Sequence, residues 1–204
     1  MTTLADLDWP RRTERLELRP ARAEDAVEVW RWHRLPVVTE WLPRLSTDQA
    51  AFTAHFDSRL DETVLALLGG RIVGSAKVHV EDGWAQAEIA EQARGRQCEL
   101  GWVLDPAVQR QGLGTELAAG LLAIAFDGLR VRRVVAYCFA DNTASWKVME
   151  KVGMRREGHY RAESLHRSGR WVDGLAYAIL TDEWRAGRRQ AGAVREGPTE
   201  GIGP

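Results

Sequence analysis

Residues 100–122 read LGWVLDPAVQRQGLGTELAAGLL, and no other stretch restricts the possible folds as much. A strand is expected over Cys98–Leu104, ended by Asp105-Pro106 because proline has no N–H to give to a ladder. A short loop follows, Gln109-Arg110-Gln111-Gly112-Leu113-Gly114. Then comes an amphipathic helix over Leu113–Phe126, with Leu113, Leu117, Leu121, Ile124 and Ala125 on one face. A helix start leaves four N–H groups without partners and carries the positive end of the helix dipole. An anion placed there receives several backbone hydrogen bonds. Gly112 and Gly114 have no Cβ, so a bulky phosphate can approach the backbone, and Thr115 adds a hydroxyl. The unit reads either as a phosphate-binding turn or as a plain glycine turn before a helix.

The spacing sorts the candidate phosphate ligands. A Walker A loop needs Gly-Lys-Ser/Thr, where this chain has Gly114-Thr115-Glu116. A dinucleotide fingerprint needs a small third residue, where Leu117 stands and would block close helix–strand packing. The pattern Gln/Arg-x-x-Gly-x-Gly/Ala is met in full by Gln109, Gly112 and Gly114.

Around this unit strands and helices alternate. Strands are expected at 15–19, at 63–68 and 71–80 (a hairpin through Gly69-Gly70), at 133–139, and at 154–165 and 170–180 with a turn at Ser168-Gly169. Helices are expected at 23–33, after Ser46 through an S-x-x-Q capping box, and at 142–151, stopped by Gly153. This order predicts an α/β (α+β) fold with a mixed sheet. The 204 residues suit one domain, residues 1–185, and the polar, Gly-rich, aperiodic stretch 186–204 reads as a flexible tail.

Composition narrows the function. With 28 basic and 29 acidic residues the net charge is −1, against a nucleic-acid-binding protein, which usually carries a basic excess. No window approaches 18 apolar residues and the N-terminus lacks a secretory pattern, so no membrane association is expected. Cys98 and Cys138 cannot form a disulfide framework, which makes a reduced, cytoplasmic setting the default. The five histidines are scattered without metal-ligand spacing, so no metal is expected.

The QRQGLG loop resembles the coenzyme A pyrophosphate loop of the GNAT superfamily of N-acetyltransferases. Downstream, VVAYCFADNTASWKVMEKVGMRREGHYR (134–161) is similar to the second signature of the branch containing the ribosomal-protein N-terminal (alanine/serine) acetyltransferases. There N-x-x-S precedes a helix and a glycine–hydrophobic pair, filled here by Asn142, Ser145, Gly153 and Met154. GRWVDGLAYAILTDEW (169–184) is similar to that branch's closing segment, so the likeness covers about residues 12–185. It implies a mostly antiparallel twisted sheet with splayed central strands flanked by helices. It also implies acetyl-CoA as co-substrate, a primary-amine acceptor (a protein N-terminal α-amine or a small molecule), and a monomer or homodimer. Gln109, Arg110, Gln111, Gly112, Leu113, Gly114 and Thr115 would hold the pyrophosphate. Pantetheine would lie between Cys98–Leu104 and Arg133–Phe139, bonded by the backbone of Val103 and Leu104. Asn142 and Ser145 would lie beside pantetheine and thioester.

Amine acetylation is acyl transfer that needs a base for the ammonium proton and a proton source for the leaving thiolate, but no enzyme nucleophile. Glu99, close to the expected splay, and Glu157, after the Gly153 turn, are the candidate bases. The alternative for each is a solvated or ion-paired strand residue. Ser145 is the candidate donor to sulfur, since the 143–151 helix holds no tyrosine; its alternative role is a helix cap. Cys98, Cys138 and Tyr137 read as core residues, and Tyr160 has no assigned role. Trp30 is expected to pack on the sheet and Trp32 to be exposed at the cleft mouth.

Residues 81–97 are longer than a hairpin needs. Trp84–Arg94 reads either as a short helix or mobile lid carrying Trp84 and Ile89 beside the amine pocket, or as a solvated excursion. Two other functions compete: a non-catalytic acyl-CoA-binding sensor, and a nucleotide-binding enzyme disfavoured by the missing lysine and glycine.

Overall fold

Along Val64-Leu65-Ala66-Leu67 every side chain is buried, yet alternate residues belong to two different cores. Such a run marks a central strand covered on both faces. The computed structural model describes residues 2–195. Its strands are β1 (Arg11–Arg12), β2 (Glu17–Pro20), β3 (Thr63–Leu68), β4 (Arg71–Glu81), β5 (Gln97–Leu104), β6 (Arg133–Phe139), β7 (Arg155–Leu165) and β8 (Trp171–Leu180). They form one eight-stranded sheet in the order β1-β2-β3-β4-β5-β6-β8-β7. All neighbours are antiparallel except β5 and β6.

The helices are α1 (Ala26–His33), α2 (Pro36–Thr39), α3 (Gln49–Asp57), α4 (Leu113–Ala123), α5 (Thr143–Lys151) and α6 (Thr181–Arg195). One core gathers Leu18, Val64, Val78, Leu100 and Val134 under the α4 residues Leu113, Leu117 and Leu121. The other joins Leu65, Leu67 and Ile72 to Val29 and Trp32 of α1 and Phe52 and Phe56 of α3.

Four expectations change. The cap of α3 is Asp48, which accepts from Ala51 N–H at 2.8 Å, not Ser46: the chain turns helical only at Gln49, beyond the reach of Ser46. The α4 helix ends at Ala123 and gives way to a π-type turn over Ile124–Gly128. Residues 186–195 are helical as part of α6, which carries the helix through the expected tail start; residues 196–204 of that tail lie outside the described residues. Trp32 is 5% exposed and sits in the core, while Trp30 is half-buried against Phe52 at 5.2 Å between ring centroids. Trp32 shares the inward face of α1 with Val29, three residues back, which is why it is not at a cleft mouth.

Candidate functional site

β5 and β6 pair only at Gln97–Arg133, Cys98–Val134 and Glu99–Val135. Beyond Glu99 they part. β5 stays on β4 as far as Leu104–Gly74, and β6 stays on β8 as far as Phe139–Gly174. The sheet therefore forks, and the inner edges of 100–104 and 136–139 have no strand partner among the described residues. Backbone N–H and C=O groups at such an edge need a polar partner. Val103 and Leu104 lie half-buried on the β5 limb. The Leu104 carbonyl accepts from Gln109 Nε2 at 3.3 Å, tying the following loop back to the limb.

That loop opens α4. Gly112 is its N-cap at φ 81°, and Arg110 is also left-handed at φ 62°. Thr115 and Glu116 N–H turn back to the Gly112 carbonyl, both at 3.1 Å. The N–H groups of Arg110, Gln111, Gly112, Leu113 and Gly114 have no protein acceptor among the described residues. Five adjacent donors at a helix N-terminus form an anion cradle. A Cβ on Gly114 would lie 3.4 Å from Leu104 Cδ1, so glycine lets α4 start close against the fork. Thr115 is half-buried in the first turn.

On the other limb, α5 begins beside the end of β6. Asn142 caps it, its side chain accepting from Ser145 N–H at 3.2 Å. The Ser145 hydroxyl is half-buried and makes no hydrogen bond among the described residues, so capping is the work of Asn142. Val148 of α5 approaches the Gly114 position, at 3.6 Å from a Cβ built there. The loop, the β5 limb, Asn142 and Ser145 are thus brought together at one fork.

Glu99 is the last β5 residue paired with β6 and stands at the fork's apex. Its neighbours Cys98 and Leu100 point into the α4-side core, so Glu99 faces the opposite side of the sheet. There it accepts from Lys77 Nζ at 2.5 Å. Across from it is His79, whose Nδ1 lies 3.0 Å from Glu62. Glu157 is elsewhere, on edge strand β7 with β8 between it and β6. Arg133 and Arg155 each hold it at 2.5 Å. The hydrogen bond from Arg133, assisted by Arg155, keeps its carboxyl below the usual glutamate range. That is the ion-paired alternative, which Glu99 also meets through Lys77; two arginines together make Glu157 a weak proton acceptor.

Tyr137 is not a core residue as expected. It shares the face of Arg133 and Val135 and is 55% exposed. Partial burial, then the nearby Glu81 and Glu99 carboxylates, raise its pKa, so its phenol keeps its proton at neutral pH. Burial pushes the Cys98 thiol up to about 12 and the Cys138 thiol up to about 11, leaving neither a nucleophile. Among the described residues no helix is long and apolar enough to cross a membrane, and no group of three or more metal-ligating side chains converges.

Four residues in and around this site were missed from sequence. Lys77 pairs with Glu99, and His79, in register across from it, pairs with Glu62; the alternation Lys77, His79, Glu81 along β4 signals the first two, and nothing local signals Glu62. Arg15 is another. It donates to the Gln111 carbonyl at 2.9 Å and to Glu116 at 2.7 Å, bracing the cradle from outside, and its separation of 96 residues from Gln111 leaves no local signal.

A family model described as acetyltransferase (GNAT) domain matches residues 15–155. An uncharacterised N-acetyltransferase of Bacillus subtilis, YnaD, is 38% identical over 86 residues, which are 42% of this chain and 50% of that protein. The chain spans about half the length of this relative and of two further N-acetyltransferases of the same organism. Among solved structures, a GNAT-family acetyltransferase from Bacillus anthracis superposes with TM-score 0.72 at 26% identity, over 85% of this chain and 99% of that one. Mycobacterium smegmatis RimJ, in complex with CoA-disulfide, gives TM-score 0.69 at 22% identity over 96% and 98%, a likeness of fold.

Proposed function

This chain belongs to the GNAT acetyltransferase family, and from that premise we propose that it transfers an acetyl group from acetyl-CoA directly to a primary amine, of a protein N-terminus or a small molecule. One observation carries the reading. The five N–H groups of 110–114, unpartnered among the described residues, open onto the same fork whose limbs lack a ladder among those residues. A ligand with a diphosphate at one end and an amide-bearing arm at the other fits both features. Acetyl-CoA, when bound, supplies the activated acyl thioester. The donors of 110–114 and Thr115 hold its diphosphate, and the limb backbone at Val103 and Leu104 bonds its amides.

Glu99 takes the ammonium proton of the acceptor. It is placed at the apex, on the side of the sheet away from α4, and exchanges Lys77 for the incoming ammonium. The ion pair with Lys77 holds the Glu99 carboxylate in place until then. Ser145, with a hydroxyl free of protein partners among the described residues, donates toward the leaving sulfur. Thiol release from acetyl-CoA, measured with a panel of amines, tests the reading. Amine-dependent release is expected. A sensor would bind acetyl-CoA and release no thiol with any amine.

A further inference from the structure

Residues 82–95 leave β4 and return to β5 as an excursion closed at its base. Gly83 N–H donates to the Ala93 carbonyl, and Gly95 N–H to the Asp82 carboxylate, both at 2.8 Å. A 3-10 turn over Ala87–Ala93 lies between them. Beneath the excursion, a groove of about 600 Å³ runs to the first residues of β5 and β6. Trp84 is 95% exposed on its wall and Ile89 49%. Arg96, Arg132 and Arg133 line the other wall, gathered because the Arg132 and Arg133 N–H groups both donate to the Arg96 carbonyl, at 2.8 and 3.2 Å. Arg133 is engaged by Glu157 and Gln97. The Arg96 and Arg132 side chains make no ion pair with any described residue. No aspartate or glutamate among the described residues lines the groove.

The groove adjoins the reacting end of the fork. Gln97 and Arg133 share the sheet face of Glu99 and precede Glu99 and Val135 by two residues, about 7 Å along the strands. We propose that this groove receives an acidic segment of a polypeptide acceptor, a few residues beyond the amine that Glu99 serves. The inference rests on the acetyl-transfer reading and narrows its acceptor. An extended chain advances about 3.3 Å per residue, so side chains three to five residues from the terminus reach the two free guanidinium groups. Trp84 offers a large rigid face that such a chain covers, whereas a small anion would leave it bare. A nucleic acid suits the site less well. Its phosphates repeat at every residue and would run past the groove onto Asp82, Glu88 and Glu91 of the excursion, whereas a peptide can carry its carboxylates at the two guanidinium groups alone.

The test uses the full chain with acetyl-CoA and peptides that share a free N-terminus. Positions three to five are Asp/Glu, Asn/Gln or Lys, and a minimal amine without a peptide serves as control. The acidic peptide should show a KM at least tenfold below the neutral one. The double variant Arg96→Glu, Arg132→Glu should abolish or reverse that preference, with acetyl-CoA affinity and turnover of the minimal amine unchanged. Trp84→Ala should raise KM for the acidic peptide. Peptide binding is read in parallel by calorimetry with coenzyme A present. Charge-selective binding without turnover contradicts the acetyl-transfer reading alone. Equal affinity for acidic and neutral peptides, or a preference that survives the double variant, overturns the groove assignment. So does tight binding of a single-stranded RNA oligonucleotide that the double variant loses.

Discussion

Glu116 Oε2 accepts from Arg15 Nε at 2.7 Å, while Glu116 Oε1 takes the Thr13 hydroxyl at 2.5 Å and the Arg15 backbone N–H at 2.6 Å. One carboxylate in the first turn of α4 thus pins the β1–β2 turn, 100 to 103 residues away in sequence, beside the anion cradle. Burial alone would raise its pKa, but the bonds from Thr13 and Arg15 outweigh that and hold it below the ordinary glutamate value of 4.5.

Glu116→Gln should therefore destabilise the fold by about 2–3 kcal/mol at pH 7, since donors of the 13–16 turn lose a charged acceptor. The sign follows from a lowered folded-state pKa: the stabilisation is complete above the unfolded value of 4.5 and fades as pH falls through the folded value. Urea unfolding of wild type and variant should converge in acid. Acetyl-CoA affinity should also drop, because Arg15 braces the Gln111 carbonyl.

Gly112 has φ 81°, where a side chain is strained, and it sits among the five free donors. Gly112→Asp adds that strain and a negative charge facing the diphosphate. Acetyl-CoA affinity measured by calorimetry should fall at least tenfold, about 1.4 kcal/mol. Retained affinity in a folded variant would remove the loop from the binding site.

Glu99→Gln should leave acetyl-CoA affinity nearly intact and lower kcat about 10²-fold. The loss should shrink at high pH, where free amine is abundant. Glu157→Gln should instead act mainly on its neighbours Arg133 and Arg155, with a small kinetic effect. If the two variants behave the other way round, the base is Glu157.

His33 is packed on Phe52 at 4.8 Å, and burial, with the nearby His55, lowers its pKa from 6.5 to about 4. A histidine held neutral in the fold is protonated first in the unfolded chain. Stability contributed by the neutral ring is complete above pH 6.5, declines between 6.5 and about 4, and is level below. His33→Phe should flatten that segment of the stability–pH curve, read from unfolding midpoints at closely spaced pH values.

The strands, the glycine turn before α4 and the Asn142–Lys151 helix were legible because each is written locally. A continuous apolar run marked Thr63–Leu68, alternation marked Arg71–Glu81, and glycines marked the turn before α4. Ser46 misled because a local S-x-x-Q match ignores where Asp48 begins the helix. Trp32 and Tyr137 were misplaced for a different reason: which face is covered depends on elements distant in sequence. Both helix faces carry tryptophan in α1, and the layer over β2–β4 decides that Trp32 is inside. Tyr137, on the β6 limb, lies outside that layer's core among the described residues and is left 55% exposed. The clamp of Arg15 on Gln111 and the Lys77–Glu99 pair are purely tertiary.

The central claim is tested most directly by amine-dependent thiol release from acetyl-CoA, run beside acetyl-CoA calorimetry on wild type, Glu99→Gln and Gly112→Asp. The account predicts release by wild type with at least one amine, loss of release with binding retained in Glu99→Gln, and weakened binding in Gly112→Asp. Tight acetyl-CoA binding by wild type with no thiol released by any amine or peptide would contradict it.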